Sequence, residues 1–208
     1  MFVMKILLTK IVFFIVLGWI AINPVYAESP QIIKISYLTQ QQKPPAALSN
    51  LDVFIQHKGL MGAKIAVDDN NTTGQFTAQK FELKTIIVPV EGDVIEQFQQ
   101  QVSDDTALVI TNLPAQQLKQ IADLDVAKGK LFFDATTTDD DLRNNKCRNN
   151  ILHMLPSRAM RADALAQYMM KKRWTKWFLV SGMTAEDRLY ASAIKRAVGR
   201  FGIKLVAE

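Results

Sequence analysis

The sequence predicts an α/β protein, a three-layer parallel sheet with helices on both faces, and three observations predict it. Short apolar runs alternate with segments whose apolar residues recur at helical spacing. Helix-start signals, Asp93 with Glu96 and then Pro114, follow the apolar runs rather than hairpin turns. The run Leu131-Phe132-Phe133 switches abruptly into Asp134-Ala135-Thr136-Thr137-Thr138-Asp139-Asp140-Asp141-Leu142. That is the composition of a strand end opening onto a polar loop, the place where open parallel sheets bind ligands. The same segment also fits an ordinary βα turn with a Thr or Asp N-cap and acids at the positive end of a helix.

Taken in order, Ile32 to Leu38 reads as a strand, followed by a polar loop from Gln40 to Pro45. Leu51, Phe54, Ile55, Ile65 and Ala66 sit at helical spacing in a segment that ends at Asp69-Asn70-Asn71, with Gly74 beyond it. Gly59 and Gly62 interrupt that segment, so either the helix breaks there or something packs close. Phe81 to Val88 is a strand, and Asp93 to Val102 a helix with Asp93 as N-cap and Glu96 completing a capping box. Thr106 to Ile110 is a strand, Pro114 opens a helix running to about Asp123, and Lys130 to Phe133 is the next strand. The aspartates 139–141 fill the first turn of a further helix.

After Cys147 the rhythm breaks. Ile151 to Leu155 is a short extended segment closed by Pro156. A helix from about Ser157 to Lys172, a strand at Trp177 to Val180, a helix from Ala185 to Arg200 stopped by Gly202, and a strand from Lys204 come next. A sheet begun so near the end of the chain leaves apolar faces without partners, which predicts a fragment or truncated product of a longer protein. The expected division is 1–27 as a signal peptide, 28–152 as a first α/β unit and 153–208 as the start of a second.

Lys5 and Lys10 precede an apolar run from Ile11 to Ile22, and Val25-Tyr26-Ala27 reads as a cleavage site, predicting export with cleavage after Ala27. The alternative is a retained anchor helix, with Ile6 to Leu8 lengthening a run that otherwise falls short of the roughly 20 residues of a membrane span. Cys147 is the single cysteine, so no intramolecular disulfide forms; a periplasmic location is the simplest reading, with Cys147 partly buried and structural. Residues 28–150 carry 12 basic against 16 acidic side chains, and residues 151–208 carry 11 against 4. The sign of the charge changes where the second unit begins.

No G-x-S-x-G, H-E-x-x-H, C-x-x-C or glycine-rich phosphate loop is present, which does not exclude an enzyme but leaves no residue to nominate as catalytic; that the protein is not an enzyme is the expectation of the resemblance given below. Asp139-Asp140-Asp141 lacks the alternation and glycine of a calcium loop, so no metal or other cofactor is expected. His57 and His153 are the only histidines, and His153 reads as structural. Lys171-Lys172-Arg173-Trp174 and Lys176-Trp177 mix base and aromatic as nucleic-acid binders do. Cations at a helix C-terminus and tryptophans over a strand start explain them without nucleic acid.

Met61-Gly62-Ala63-Lys64-Ile65-Ala66-Val67-Asp68-Asp69-Asn70-Asn71 followed by Gly74 resembles the G-A-x-x-A-I-x-D-x-N…G helix of type I periplasmic substrate-binding proteins of ABC importers, the branched-chain-amino-acid-binding class. Ala107 to Thr111 is similar to that family's third strand, Ala135 to Leu142 to its P-G-A-T-N-P-x-L loop, and Ile151 to Met154 to its first crossing between lobes. Order and spacing over 31–207 carry the resemblance. Asp68 to Phe76, Asp139 to Arg143 and Pro156 to Met160 are similar to a branch associated with pyrroloquinoline-quinone-dependent alcohol oxidation.

The resemblance implies a fold of two lobes, the first mostly complete here and the second only begun. It implies a periplasmic receptor that binds a small molecule between the lobes without chemistry and docks on an ABC permease. A sensory or accessory protein partnering a quinoprotein dehydrogenase is the alternative. The implied ligand contacts are Thr111, Asn112, Thr137 and Thr138, with Arg158 past the crossing. Amino-acid binders of the family have a Ser-rich turn where this chain has Asn112-Leu113-Pro114-Ala115, an acid where it has Ser157-Arg158, and a tyrosine near the place of Glu186. Arg158 repels an ammonium and attracts an anion, so the expected ligand is a carboxylate or hydroxylated small molecule rather than an α-amino acid.

Overall fold

The strand β1 (Gln31–Gln40) is exposed at its start and buried further along, where Ser36, Tyr37 and Leu38 stand inside the sheet. In the computed structural model, which describes residues 29–44, 49, 51, 55 and 58–208, five strands lie in the order β2-β1-β3-β4-β5. These are β2 (Gln79–Val88), β3 (Leu108–Asn112), β4 (Leu131–Asp134) and β5 (Ile151–His153). The pairs β1–β3, β3–β4 and β4–β5 are parallel. Register aligns Leu38 with Thr111, Thr111 with Asp134 and Asp134 with His153, a row of carboxyl-end residues crossing four strands.

The helices between them are α1 (Leu60–Thr77), α2 (Val94–Gln101) and α3 (Ala115–Ala122). Leu38, Val88, Phe98, Val109, Leu118, Ile121 and Phe132 belong to the apolar cluster where α2 and α3 meet the sheet. Phe98 and Phe132 stand 5.8 Å apart in a tilted pair, a geometry aromatic rings prefer to a face-to-face stack. Lys130 is buried beside this core, and its ammonium donates to the carbonyls of Ser103 (2.9 Å), Thr106 (3.0 Å) and Asp104 (3.4 Å), which a buried charge requires.

Asp93 caps α2 as expected, accepting from the amides of Ile95 and Glu96. Glu96 does not close the box; its carboxylate accepts from the side-chain amide of Gln100 one turn on. The helix α1 corrects a larger expectation. It does not stop at Asp69-Asn70-Asn71 but continues to Thr77, its polar side chains finding partners while the backbone stays helical. Asn71 accepts from the Phe81 amide (2.7 Å) and donates to the Phe81 carbonyl (3.0 Å), fastening α1 to β2, and the Thr72 hydroxyl donates to the Asp69 carbonyl. Gly74 is where the chain returns: a Cβ there would lie 2.3 Å from the Gln79 carbonyl oxygen. Of the earlier part of that helix, Leu51 and Ile55 are not helical, and Phe54 lies outside the described residues.

Asp139 to Asp141 do not open a helix either. Asp139 Oδ1 accepts the amides of Asp141 and Leu142, and one 3-10 turn (Asp141–Arg143) comes next before the chain loops to β5. Cys147 lies in that loop and is exposed, not partly buried.

Beyond β5 come α4 (Arg158–Lys171), β6 (Lys176–Phe178), α5 (Ala185–Arg200) and β7 (Lys204–Ala207). β6 and β7 pair in parallel as a second, two-stranded sheet. The helices α4 and α5 meet through Ala162, Ala166, Ala193 and Ala197, small residues that let two backbones approach closely. Ser157 caps α4 through the Met160 amide (3.2 Å), and Thr184 with Asp187 forms a full capping box on α5. At the end of α4, Lys172 lies over the Tyr168 ring and the Trp177 indole donates to the Trp174 carbonyl (2.8 Å). Among the described residues no helix is long and apolar enough to cross a membrane. The expected signal peptide, 1–27, lies outside the described residues.

Candidate functional site

Asp134 ends β4 with its side chain 0% exposed, and an ionised carboxylate there needs donors on every side. Oδ1 accepts from the amides of Thr136 (3.1 Å) and Thr137 (2.9 Å). Oδ2 accepts from the Thr137 hydroxyl and lies 2.7 Å from His153 Nδ1 on the next strand. Its backbone takes part as well, since the Asp134 carbonyl accepts from the Met154 amide (3.0 Å). The threonine loop is therefore folded around the strand end by one buried acid, as an Asx turn is, and the outgoing strand is tied to the same group.

A second cluster sits at the ends of β1 and β3. The Asn112 amide donates to the Lys58 carbonyl (3.1 Å) and to the Tyr37 hydroxyl (3.4 Å), and Tyr37 in turn donates to the Lys58 carbonyl (3.2 Å). The Thr136 hydroxyl donates to Asn112 Oδ1. Gly59, just before α1, has φ +94°, and a Cβ there would lie 2.8 Å from the Tyr37 hydroxyl; both facts demand glycine. Of the two explanations the sequence left open for Gly59, close packing by Tyr37 is therefore present.

The third part joins the loop to the helices α4 and α5. Arg158 is 7% exposed. Its amide and its guanidinium Nη1 both donate to the Thr138 carbonyl, at 2.9 and 3.3 Å. Nε and Nη2 both donate to a single oxygen, Oε1, of Glu186 in the first turn of α5, and Asp139 lies 3.7 Å from Nη1. Arg158 also lines a cleft of about 580 Å³ between the 139–144 loop and the helices α4 and α5. Arg143, Arg196 and Arg200 share that lining with Asp139, Asp140, Asp141 and Asp163, so its formal charges balance. Most are committed: Asp163 accepts from Arg196 and Arg200, and Arg143 donates to the carbonyls of Thr137, Asp139 and Leu155. The hydrogen bond from Lys146 holds the Asp141 carboxyl below the usual carboxylate range and raises Lys146 in return.

The five residues anticipated as ligand contacts thus fall in different places. Thr111 is 0% exposed and its hydroxyl donates to the Phe133 carbonyl (3.4 Å); Thr137 is 6% exposed and bonded to Asp134. Asn112 is half-buried in the Tyr37 cluster, and Thr138 is half-buried beside Arg158. Of the five, Arg158 lines the cleft. Sequence reasoning passed over Asp134 and Tyr37. An acid closing an apolar strand, with Thr three residues on, was the signal for the first; nothing local marks Tyr37. His57 lies outside the described residues. Among the described residues no group of three or more His, Cys, Asp or Glu is placed to hold a metal.

A parallel sheet with a polar rim at its strand ends is the class of α/β architecture that places ligands at the carboxyl ends of its strands. Residues 58–208 match the family described as periplasmic binding protein, and the chain belongs to that family. It superposes on an ABC transporter substrate-binding protein from Desulfitobacterium hafniense with a TM-score of 0.61 and 18% identity, over 86% of this chain and 50% of that one. A substrate-binding protein structure from the same organism in complex with Leu gives 0.59 at 18%, with the same coverage. A branched-chain amino acid ABC transporter periplasmic ligand-binding protein from Burkholderia xenovorans LB400 gives 0.64 at 17%, over 84% of this chain and 45% of that one. At these identities the likeness is one of fold, and the chain spans about half the length of these structures. No curated protein matches the chain.

Proposed function

We propose that this protein is the periplasmic solute receptor of an ABC importer, holding a small carboxylate or hydroxylated ligand between two lobes without chemistry. In this reading residues 1–27 direct export, 28–152 form the first lobe and 153–208 open the second. Binding shifts an equilibrium between open and closed arrangements, and the closed one docks on an inner-membrane permease.

The observation that carries the reading is Arg158: a nearly buried guanidinium held against the threonine loop, on the wall of a cleft whose volume falls in the usual range for small-ligand sites. Thr138 and Asn112 contribute polar groups at the rim, while Thr111 and Thr137 contribute by holding the strand ends in place. Membership of the family supports a solute-binding role, and the leucine seen in one similar structure belongs to that protein. The quinoprotein association rests on the three sequence runs alone.

Titration calorimetry with glycolate, lactate and leucine tests the ligand class. Binding of a hydroxy acid that Arg158→Ala abolishes is the expected result; tight leucine binding that Arg158→Ala leaves intact overturns it. Small-angle scattering of the full chain at saturating hydroxy acid should show compaction, and an unchanged radius counts against closure.

A further inference from the structure

We infer that Glu186 is a resident carboxylate on Arg158, one that a ligand carboxylate must displace, so that Glu186 sets both the affinity of the site and the class of ligand it admits. The inference rests on the reading of Arg158 as an anion receptor. Three features of the pair point to it. The two partners differ sharply in exposure: the side chain of Arg158 is 8% exposed and that of Glu186 63%. A buried guanidinium cannot go unpaired without a large desolvation cost, whereas an exposed carboxylate returns to water at little cost. The pair therefore exchanges its Glu186 half easily, provided another carboxylate arrives.

The bonding is also incomplete in a way a ligand can improve. Nε and Nη2 of Arg158 converge on Oε1 of Glu186, so one oxygen serves two donors. A free carboxylate approaching in plane offers one oxygen to each N–H, the fork-to-fork geometry that makes arginine–carboxylate pairs strong. Finally, the displaced group has somewhere to go and the incoming one has a way in. Glu186 stands in the first turn of α5 with its side chain largely exposed, and Arg158 itself forms part of the wall of the 580 Å³ cleft. Nη1 stays on the Thr138 carbonyl throughout, which keeps the guanidinium aimed while its anion changes.

Two consequences separate this from a fixed strut between the loop and α5. A resident acid screens out weakly held anions, because each must outcompete a tethered carboxylate at high effective concentration. Removing the acid should then strengthen binding rather than weaken it. The test is calorimetric titration of the full chain with glycolate and with acetate, comparing the native protein, Glu186→Gln, Glu186→Ala and Arg158→Gln, each checked for an unchanged melting profile. Both Glu186 variants should bind glycolate at least tenfold more tightly than the native protein, and Arg158→Gln should lose binding. Glu186→Gln keeps a side-chain oxygen for Nε and Nη2, so it keeps the test sound even if Glu186→Ala or Arg158→Gln unfolds. Equal or weaker glycolate binding in the Glu186 variants, with measurable binding to the native protein, overturns the inference and leaves the receptor reading standing. Failure of every protein to bind either carboxylate overturns the receptor reading itself.

Discussion

Asp134 is 0% exposed and collects four donors, so its removal strands two backbone amides, a hydroxyl and an imidazole. Asp134→Ala should cost about 3 kcal/mol in urea unfolding, the scale of leaving buried donors without their acceptor. Asp134→Asn should cost less, since its amide oxygen still serves the Thr136 and Thr137 amides; equal losses would show that the loop does not depend on the acceptor. A weaker effect belongs to Asp123. The hydrogen bonds from Arg148 hold its carboxyl below the usual range, and the pair fastens the end of α3 to the loop before β5. Because the folded group ionises more readily than the unfolded one, its contribution is full above the ordinary carboxylate range and fades as pH falls through the lowered value. Arg148→Gln should therefore lower the melting temperature slightly near neutrality, as loss of an exposed pair does, and melt like the native protein in strong acid.

Helix ends were the most legible elements, because a cap is a local pattern that the local chain satisfies. Asp93 and the stop at Gly202 were readable for that reason, while the caps at Ser157 and Thr184 come from the structure; Ser157→Ala should cost about 1 kcal/mol, seen as a lower melting temperature with the sheet core intact. The extent of α1 was not legible. Its asparagines looked like a stop, and only Phe81, ten residues beyond Asn71 and on another element, turns them into fasteners. The 139–141 acids misled for the opposite reason: a side chain that can cap a helix can equally cap a single turn. In the site, the polar loop after β4 was visible from composition, whereas its organiser was not. Asp134 reads as the last residue of an apolar run, and its importance comes from His153 arriving beside it through the sheet register.

At the scale of the whole molecule, the row from Leu38 through Thr111 and Asp134 to His153 ties the rim to the core, because each member belongs to a strand packed or bonded within the sheet. The rim is thereby held by the strand register on its sheet side and by side-chain and amide contacts on its helix side, those of Arg158 with Thr138 and Glu186 and of the Ala159 amide with Asp140. The proposed receptor function asks for such a division, since a ligand would find some contacts already arranged and bring the others in. It also locates where turning is possible. The Met154 amide is pinned to Asp134 and the Arg158 amide to Thr138, with only Leu155, Pro156 and Ser157 between them. Among the described residues, a swivel of α4 about the first sheet draws on the torsions of those three, one with a fixed φ and one with its carbonyl held by Arg143, or else releases the Thr138 pin, which leaves an axle of very short length and few permitted angles. Amide exchange should find Met154 slow on that axle's near side whatever the solution contains, and changes on ligand addition should begin beyond it.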